Sequence, residues 1–196
     1  LGLRHYMGNG NSDMRTLISI ALVVGYSTTA GADTTDEQQQ QAAALADSFV
    51  SMLKPQLKQA MTTGGPTHAI AVCADVAPGI ADALSAESDW SVRRVSLKSR
   101  NASRAIPDDW ERKVLLDFDR RQAAGDPPAD LHVGEVVNGQ YRYMQAQVVE
   151  PLCLVCHGEA LASDVQETLQ EYYPDDWATG YTLGEVRGAI SVSGNL

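Results

Sequence analysis

The sequence is short of cysteine and of positive charge. Its 196 residues include only three cysteines, and 15 Lys and Arg stand against 25 Asp and Glu, which gives a formal net charge of −10. So acidic a chain is not built to bind nucleic acid or anionic lipid through bulk electrostatics. So few cysteines also exclude a disulfide-dense mini-protein. The hydrophobic fraction of 44% in a chain of this length instead predicts one globular domain with a core of its own.

Long hydrophobic runs are scarce as well, and the one near the start of the chain has the layout of a signal peptide. Residues 14–15 give a charged beginning, residues 17–24 an apolar run, and residues 30–32 an Ala-Gly-Ala ending. The run is far shorter than the roughly 20 residues of a membrane-spanning helix. We therefore interpret residues 1–32 as a non-native start followed by a cleaved signal peptide. Residues 33–196 are then expected to form an exported, periplasmic domain with no membrane span.

Helical periodicity dominates the first half of this domain. A capping box at residues 34–37 predicts the start of a helix. Pro55 should kink that helix, and the Gly-Gly-Pro sequence at residues 64–66 should end it. A second helix follows, in which the Pro-Gly pair at residues 78–79 predicts a kink or a break.

The second half of the domain combines strand signals with helical insertions. A short β-prone run after Trp90 predicts a strand, and Pro107 predicts the start of a third helix. The Asn-Gly pair at residues 138–139 predicts a tight hairpin turn. Ser163 is expected to cap a short helix, and residues 186–192 alternate as a last strand. Helices followed by strands indicate a single α+β domain with a mostly antiparallel sheet.

Residues 153–157 carry the chemistry. The sequence Cys153-Leu-Val-Cys156-His157 has the spacing of a c-type haem attachment motif. Its two thiols can reach the two vinyl groups along one edge of a porphyrin, and the adjacent imidazole can bind the iron. A redox Cys-x-x-Cys pair and half of a zinc site are the alternatives. The sequence has no second Cys/His pair at zinc-ligand spacing, and the histidine together with the predicted export favours haem.

Several side chains are candidates for the second axial ligand of the iron. They are Cys73, Met144, Met52, Met61, His68 and His132. Methionines at helical or strand spacing usually fill a core, and both histidines lie in positions that are usually exposed. Cys73 differs because the other two cysteines are used by haem, which leaves its thiol without an intramolecular disulfide partner. Thiolate is a strong iron ligand, and from the residues alone ligation by Cys73 and simple burial are equally supported.

Five segments spread over residues 40–193 add a further signal. They are AIAVCADVAPGIA (69–81), SLKSRN (96–101), PDDWE (107–111), CLVCHG (153–158) and GYTLGEVRGAISV (180–192). This set resembles a family of exported mono-haem c-type cytochromes of unknown function. The resemblance implies a PAS-like antiparallel β-sheet flanked by helices, one haem c, and axial ligation by His157 and Cys73. Family members often have Asn-Pro where this chain has Asn101-Ala102, so the loop after Arg100 is expected to differ.

These signals together predict a periplasmic haem protein in one-electron transfer or redox sensing, with an unidentified redox partner. Low-spin iron with one anionic thiolate ligand favours Fe(III), and hence a low reduction potential. The alternative is a haem-based sensor of a gas or small ligand that displaces Cys73. No catalytic constellation is identifiable from spacing, so we expect no enzyme activity.

The remaining cofactor contacts are predicted from residue type alone. Cationic side chains suit the two propionates of haem, and an aromatic side chain on one strand face suits the ring. The candidates for the propionates are Lys98, Arg100 and Arg187, and those for the ring are Tyr143 and Tyr141.

Overall fold

The computed structural model describes the backbone of residues 30–196 and the side chains of residues 34–196. The predicted start and signal peptide lie outside the residues whose side chains are described, so signal cleavage stays a prediction. The helices are α1 (Ala30–Ala86), α2 (Ala102–Ala105), α3 (Asp109–Ala123), α4 (Leu154–His157) and α5 (Ser163–Tyr172). The strands are β1 (Trp90–Val95), β2 (His132–Val137), β3 (Gln140–Val148) and β4 (Val186–Asn195). Helix α1 already contains residues 34–37, so the helix start predicted there is wrong.

Helix α1 is interrupted where glycine allows it. Gly65 has the non-helical angles φ 73° and ψ −167°, a region that residues with a Cβ rarely adopt. The end predicted at residues 64–66 is therefore a kink between two halves of α1. The backbone stays helical through Pro55 and through residues 78–79. Of the two alternatives predicted at Pro78-Gly79, the break is therefore wrong, and the kink stays a prediction. A proline fits helical φ, and the rest of the helix is held by packing against the sheet.

The packing of α1 against the sheet forms the first of the two cores that cover its faces. Over Thr34–Ala86 this helix is long and apolar enough to cross a membrane by length and composition, a test that the core helix of a soluble domain also passes. Ala42, Ala46 and Phe49 on its first half are buried at no more than 1% exposure. They pack with Tyr141 and other side chains of the sheet, and this burial of apolar surface stabilises the fold.

The sheet is antiparallel, with the strand order β1-β4-β3-β2. Asn138 and Gly139 connect β2 to β3 with φ values of 52° and 81°, which confirms the tight turn. Along β3 the side chains alternate as predicted, because Tyr141 and Tyr143 face α1 while Met144 packs in the second core, beneath α3. The single α+β domain with an antiparallel sheet is thus confirmed.

The ends of the shorter helices differ from the sequence prediction by one or two residues. Helix α3 begins at Asp109, because the Asp108 carboxylate accepts the Glu111 N–H and the Glu111 carboxylate accepts the Asp108 N–H. The predicted start at Pro107 was two residues early, because this proline lies just before the capping box and not in the first turn. In α5 the N-cap is Ala162, so the prediction that Ser163 caps that helix is wrong.

Candidate functional site

A cavity of about 410 Å³ lies between both halves of α1, one end of the sheet and the segment around α4. Its wall includes Cys73, Cys153, Cys156 and His157. This volume falls within the range of roughly 300–1,000 Å³ that small-molecule and cofactor sites occupy. The fold therefore brings a thiol of the long helix together with the motif near the end of the chain.

The cavity receives its two motif thiols from one short helical stretch. A 3₁₀ turn ends at Cys153, and α4 continues directly to His157. Residues three apart in a helical turn lie on the same side, so Cys153 and Cys156 both line the cavity. The three thiols of the chain are free rather than paired in a disulfide. The motif thus presents two free thiols and one imidazole to the same space.

Gly158 closes this stretch and leaves no room for a side chain. Its N–H donates to the Leu154 carbonyl oxygen at 3.0 Å. A Cβ built on Gly158 would lie 2.6 Å from that same oxygen, which is backbone and cannot rotate away. The chain then continues to a bridge between Gly158 and Tyr181, and the Tyr181 N–H donates to the His157 carbonyl oxygen at 2.9 Å. The glycine is therefore required by the turn that presents the histidine.

We expect the Gly158→Ala variant to lose about 1–3 kcal/mol of unfolding free energy, because the new methyl group forces the α4 turn open. Denaturant unfolding measures this difference. The matched control is Gly79→Ala, since Gly79 is helical and nothing lies within 4 Å of its added Cβ. That control is expected to be neutral or slightly stabilising. Equal stabilities of the two variants would contradict the steric argument.

His157 is held in the protonation state that metal binding needs. Its Nδ1 lies 2.7 Å from the Ala178 carbonyl oxygen, which can only accept, and 3.0 Å from Nε of Arg187, which can only donate. The shorter contact favours the tautomer with the proton on Nδ1, in which Nε2 keeps a lone pair and faces Nη1 of Arg100 at 3.5 Å. Burial, together with the charges of Arg187 and Arg100, holds the pKa of His157 well below its usual value. The imidazole is therefore neutral. A hydrogen bond from the second ring nitrogen to a backbone carbonyl is typical of metal-binding histidines.

Arg100 and Arg187 are both fixed around this histidine. Arg100 forms an ion pair with Asp176 at 3.0 Å and donates to the Cys156 carbonyl oxygen at 2.5 Å. It thereby ties the motif to the loop after α5. Arg187 donates to the Ser96 hydroxyl at 2.9 Å, and its Nε lies 3.0 Å from Nδ1 of His157. Burial lowers the pKa of Arg187 to about 10, so this cation is still charged at neutral pH. Both residues line the cavity.

Two predicted cofactor contacts lie outside the cavity wall. Lys98 is exposed, and its ammonium lies 4.7 Å from the centre of the Tyr181 ring. Tyr143 is buried beneath the first half of α1 and stacks on His132. The structure therefore gives neither Lys98 nor Tyr143 a place in the wall. Tyr141 packs in the same core as Tyr143 and is likewise absent from the cavity wall.

The candidates for a second axial ligand are separated by their positions. Met144 is fully buried in the other core, beneath α3. Three further candidates are exposed at the surface, namely Met52, His68 and His132. Cys73 and Met61 line the same cavity as His157. Burial raises the pKa of the Cys73 thiol, while Arg94 and Arg100 oppose that rise.

Arg94 is a cavity residue that the sequence analysis missed. It lies on β1 two residues after Val92 and is paired with Ile190 on β4. Val92 and Ile190 both pack in the core beneath α1. Alternation along a strand puts Val92 and Arg94 on the same face. A charge on the core face of a predicted strand was the available signal.

Comparisons with known proteins cover nearly the whole described domain. The profile of the Tll0287-like family matches residues 29–194, a range that includes every residue of the cavity wall. The crystal structure of the cyanobacterial heme-protein Tll0287 is similar with a TM-score of 0.64 and 25% sequence identity. That similarity covers 81% of this chain and 95% of the cyanobacterial chain. No curated protein matches the sequence.

Proposed function

The chain belongs to the Tll0287-like family, and on that premise we propose that it is an exported c-type haem protein acting in one-electron transfer or redox sensing. The observation that carries the proposal is the shared cavity, which joins Cys153, Cys156 and His157 to Cys73. The similar cyanobacterial structure is that of a heme protein, which supports the same cofactor here. We also propose that the sheet and its flanking helices form a PAS-like fold.

The chemistry of the cavity wall fits a covalently bound haem. Cys153 and Cys156 are free thiols on one turn, as two thioether bonds to one porphyrin edge require. His157 would offer its Nε2 lone pair to the iron, and Cys73 would offer a sulfur from the wall of the same cavity. When bound, haem supplies a one-electron Fe(III)/Fe(II) couple. The protein would hold it with two covalent bonds and two axial ligands.

The surrounding residues orient these ligands and bring cations to the carboxylates of the cofactor. Ala178 fixes the ring of His157 through its carbonyl oxygen, while Arg100 braces the motif by its bonds to Cys156 and Asp176. Hydrogen-bonded partners of this kind hold metal ligands in place. Arg187 has hydroxyl and carbonyl partners at its Nη1, and its charge suits a haem propionate.

The charge of the motif-bearing segment indicates the kind of partner. Residues 150–186 contain eight Asp or Glu and no Lys or Arg. An acidic surface around the cofactor would steer a basic redox protein toward it. Export through the predicted signal peptide would put this exchange in the periplasm. The proposal assigns no enzyme activity to the protein.

Visible spectra of the oxidised and reduced protein, with and without CO, test the proposed function. The protein is produced with its predicted signal sequence in a host that attaches haem c. We expect low-spin spectra in both oxidation states and no CO adduct, because two side chains occupy the axial positions. A rapidly formed CO adduct of the reduced protein would instead support the sensor in which Cys73 is displaced. Protein without covalently bound haem would contradict the proposal.

A further inference from the structure

Trp177 is 72% exposed, more than any other large hydrophobic residue of the described chain. Folded chains usually bury tryptophan to a high degree. The backbone around it is nonetheless fixed, because the Trp177 N–H donates to the Ser99 carbonyl oxygen at 2.9 Å. The next N–H, that of Ala178, donates to the Asp176 carboxylate at 2.8 Å. The fold therefore presents this residue to solvent from a hydrogen-bonded turn.

Trp177 also lies directly before the residue that contacts the motif histidine. The Ala178 carbonyl oxygen lies 2.7 Å from Nδ1 of His157. Ala178 is fully buried, so the chain passes from the surface to the imidazole within two residues. A protein that contacts Trp177 is thereby separated from the proposed iron ligand by one short piece of backbone and one hydrogen bond.

Other apolar side chains are exposed in the same part of the chain. Nine large hydrophobic residues are exposed among the described residues, and four of them fall within residues 150–186, under a quarter of that length. The four are Val155, Tyr172, Trp177 and Leu183. Val155 lies between the two motif cysteines, in α4. Apolar surface concentrated in one region is a common feature of interaction sites.

The charges of this segment are almost all negative and mostly unpaired. Of its eight carboxylates, Glu150 and Asp176 form ion pairs with cations of other segments. The remaining six form no ion pair among the described residues, and all but the last are exposed: Glu159, Asp164, Glu167, Glu171, Asp175 and Glu185. Lys98 brings one cation to this loop, with its ammonium 3.5 Å from the Thr179 carbonyl oxygen. A surface of this charge is complementary to a basic protein.

We propose that a basic one-electron redox protein docks on the surface around Trp177, beside the proposed iron ligand. This inference rests on the proposed function. The unpaired carboxylates would steer the partner, and the indole would form the apolar centre of the contact, a role in which tryptophan is enriched. The electron that one protein loses is gained by the other, so the exchange needs no further reactant.

An NMR titration of the reduced holoprotein with reduced mitochondrial cytochrome c, a basic one-electron haem protein, tests the docking without electron transfer. The chain has three tryptophans, and the Trp177→Phe variant identifies the indole N–H signal of Trp177. We expect that signal to shift on addition of cytochrome c and to return when salt is raised. The indole signals of Trp90 and Trp110, which are half-buried on β1 and α3, should not move.

Calorimetry of the same complex measures how much Trp177 contributes to binding. We expect Trp177→Ala to weaken the complex by about tenfold, as loss of a central aromatic contact does. The matched control is Leu116→Ala, which removes a 52% exposed apolar side chain from α3 and should bind as the wild type does. The Glu171→Gln/Asp175→Asn variant should bind more weakly and depend less on salt.

Three results would overturn the inference. They are no binding by the wild type, equal affinities of Trp177→Ala and Leu116→Ala, and a shift of the Trp90 or Trp110 signal in place of that of Trp177. Each of them leaves the proposed function intact, provided that the protein contains covalent haem with low-spin spectra. Protein without covalent haem would instead contradict the proposed function itself.

Discussion

We expect the Cys153→Ser/Cys156→Ser double variant to lose all covalently attached haem. A hydroxyl does not form the thioether bond that joins a cysteine to a vinyl group, and both attachment points of the motif are removed. Cys73 remains as the last of the three thiols, but it lies on α1 rather than in the motif. Haem staining after denaturing electrophoresis, together with extraction into acidified acetone, measures the loss.

The single variants and Cys73→Ser are the controls for this loss. Cys153→Ser and Cys156→Ser each leave one thiol in the α4 turn, so part of the haem should stay attached through a single bond. Cys73→Ser should retain full staining, because Cys73 is assigned to the iron and not to the porphyrin edge. Covalent haem in the double variant would contradict the attachment motif. Loss of stain in Cys73→Ser would show that this thiol has a role in attachment.

Local sequence signals predicted much of the fold where a single backbone conformation was required. The Asn-Gly pair at residues 138–139 predicted the hairpin correctly, because the tight turn needs positive φ at two positions and these two residues adopt it readily. Proline was a weaker signal than glycine, since α1 continues through Pro78 but leaves helical angles at Gly65. A proline in a helix removes one hydrogen bond, and packing of Ala77 and Ile80 against the sheet can offset that loss. Tertiary packing of this kind cannot be read from a local pattern.

The candidate site was predictable only in its local part. Cys153, Cys156 and His157 are close in sequence, so their spacing alone indicates the chemistry. Cys73 meets them only through the packing of α1, and spacing could not separate ligation from burial. Arg94 was missed, although its place on the face of Val92 was readable by alternation.

The two predicted cofactor contacts that lie outside the cavity wall show what residue type leaves open. Lys98 and Tyr143 were predicted as haem contacts from residue type, and residue type does not show where a side chain lies in the fold. Lys98 lies over the Tyr181 ring at the surface, and its backbone carbonyl rather than its ammonium serves the site by accepting from Arg187. Tyr143 faces α1 as alternation predicts, but it packs in the core that contains Ala42 and Ala46, whereas the part of this helix that lines the cavity begins at Asp47. The cavity opens farther along the sheet, near residues 145–148.

Replacing Cys73 with alanine is expected to raise the reduction potential of the iron and to change its oxidised spectrum. Loss of the proposed thiolate would remove the ligand that favours Fe(III), so the reduction potential should rise by something on the order of 0.1 V or more. Axial ligands set haem potentials over a range of about 0.8 V, which makes a shift of this size reasonable. Spectroelectrochemical titration measures it, and the oxidised spectrum should lose its thiolate character at the same time.

Met61 makes a second variant necessary, because it lines the same cavity as Cys73 and thioethers bind haem iron. If Met61 replaces the lost thiolate, Cys73→Ala stays six-coordinate with a raised potential. The Cys73→Ala/Met61→Leu variant should then have an open axial position and bind CO when reduced. Met144→Leu is the matched control, since Met144 lies in the other core and should leave the spectrum unchanged. An unaltered oxidised spectrum and potential in Cys73→Ala would mean that the thiol is only part of the apolar wall.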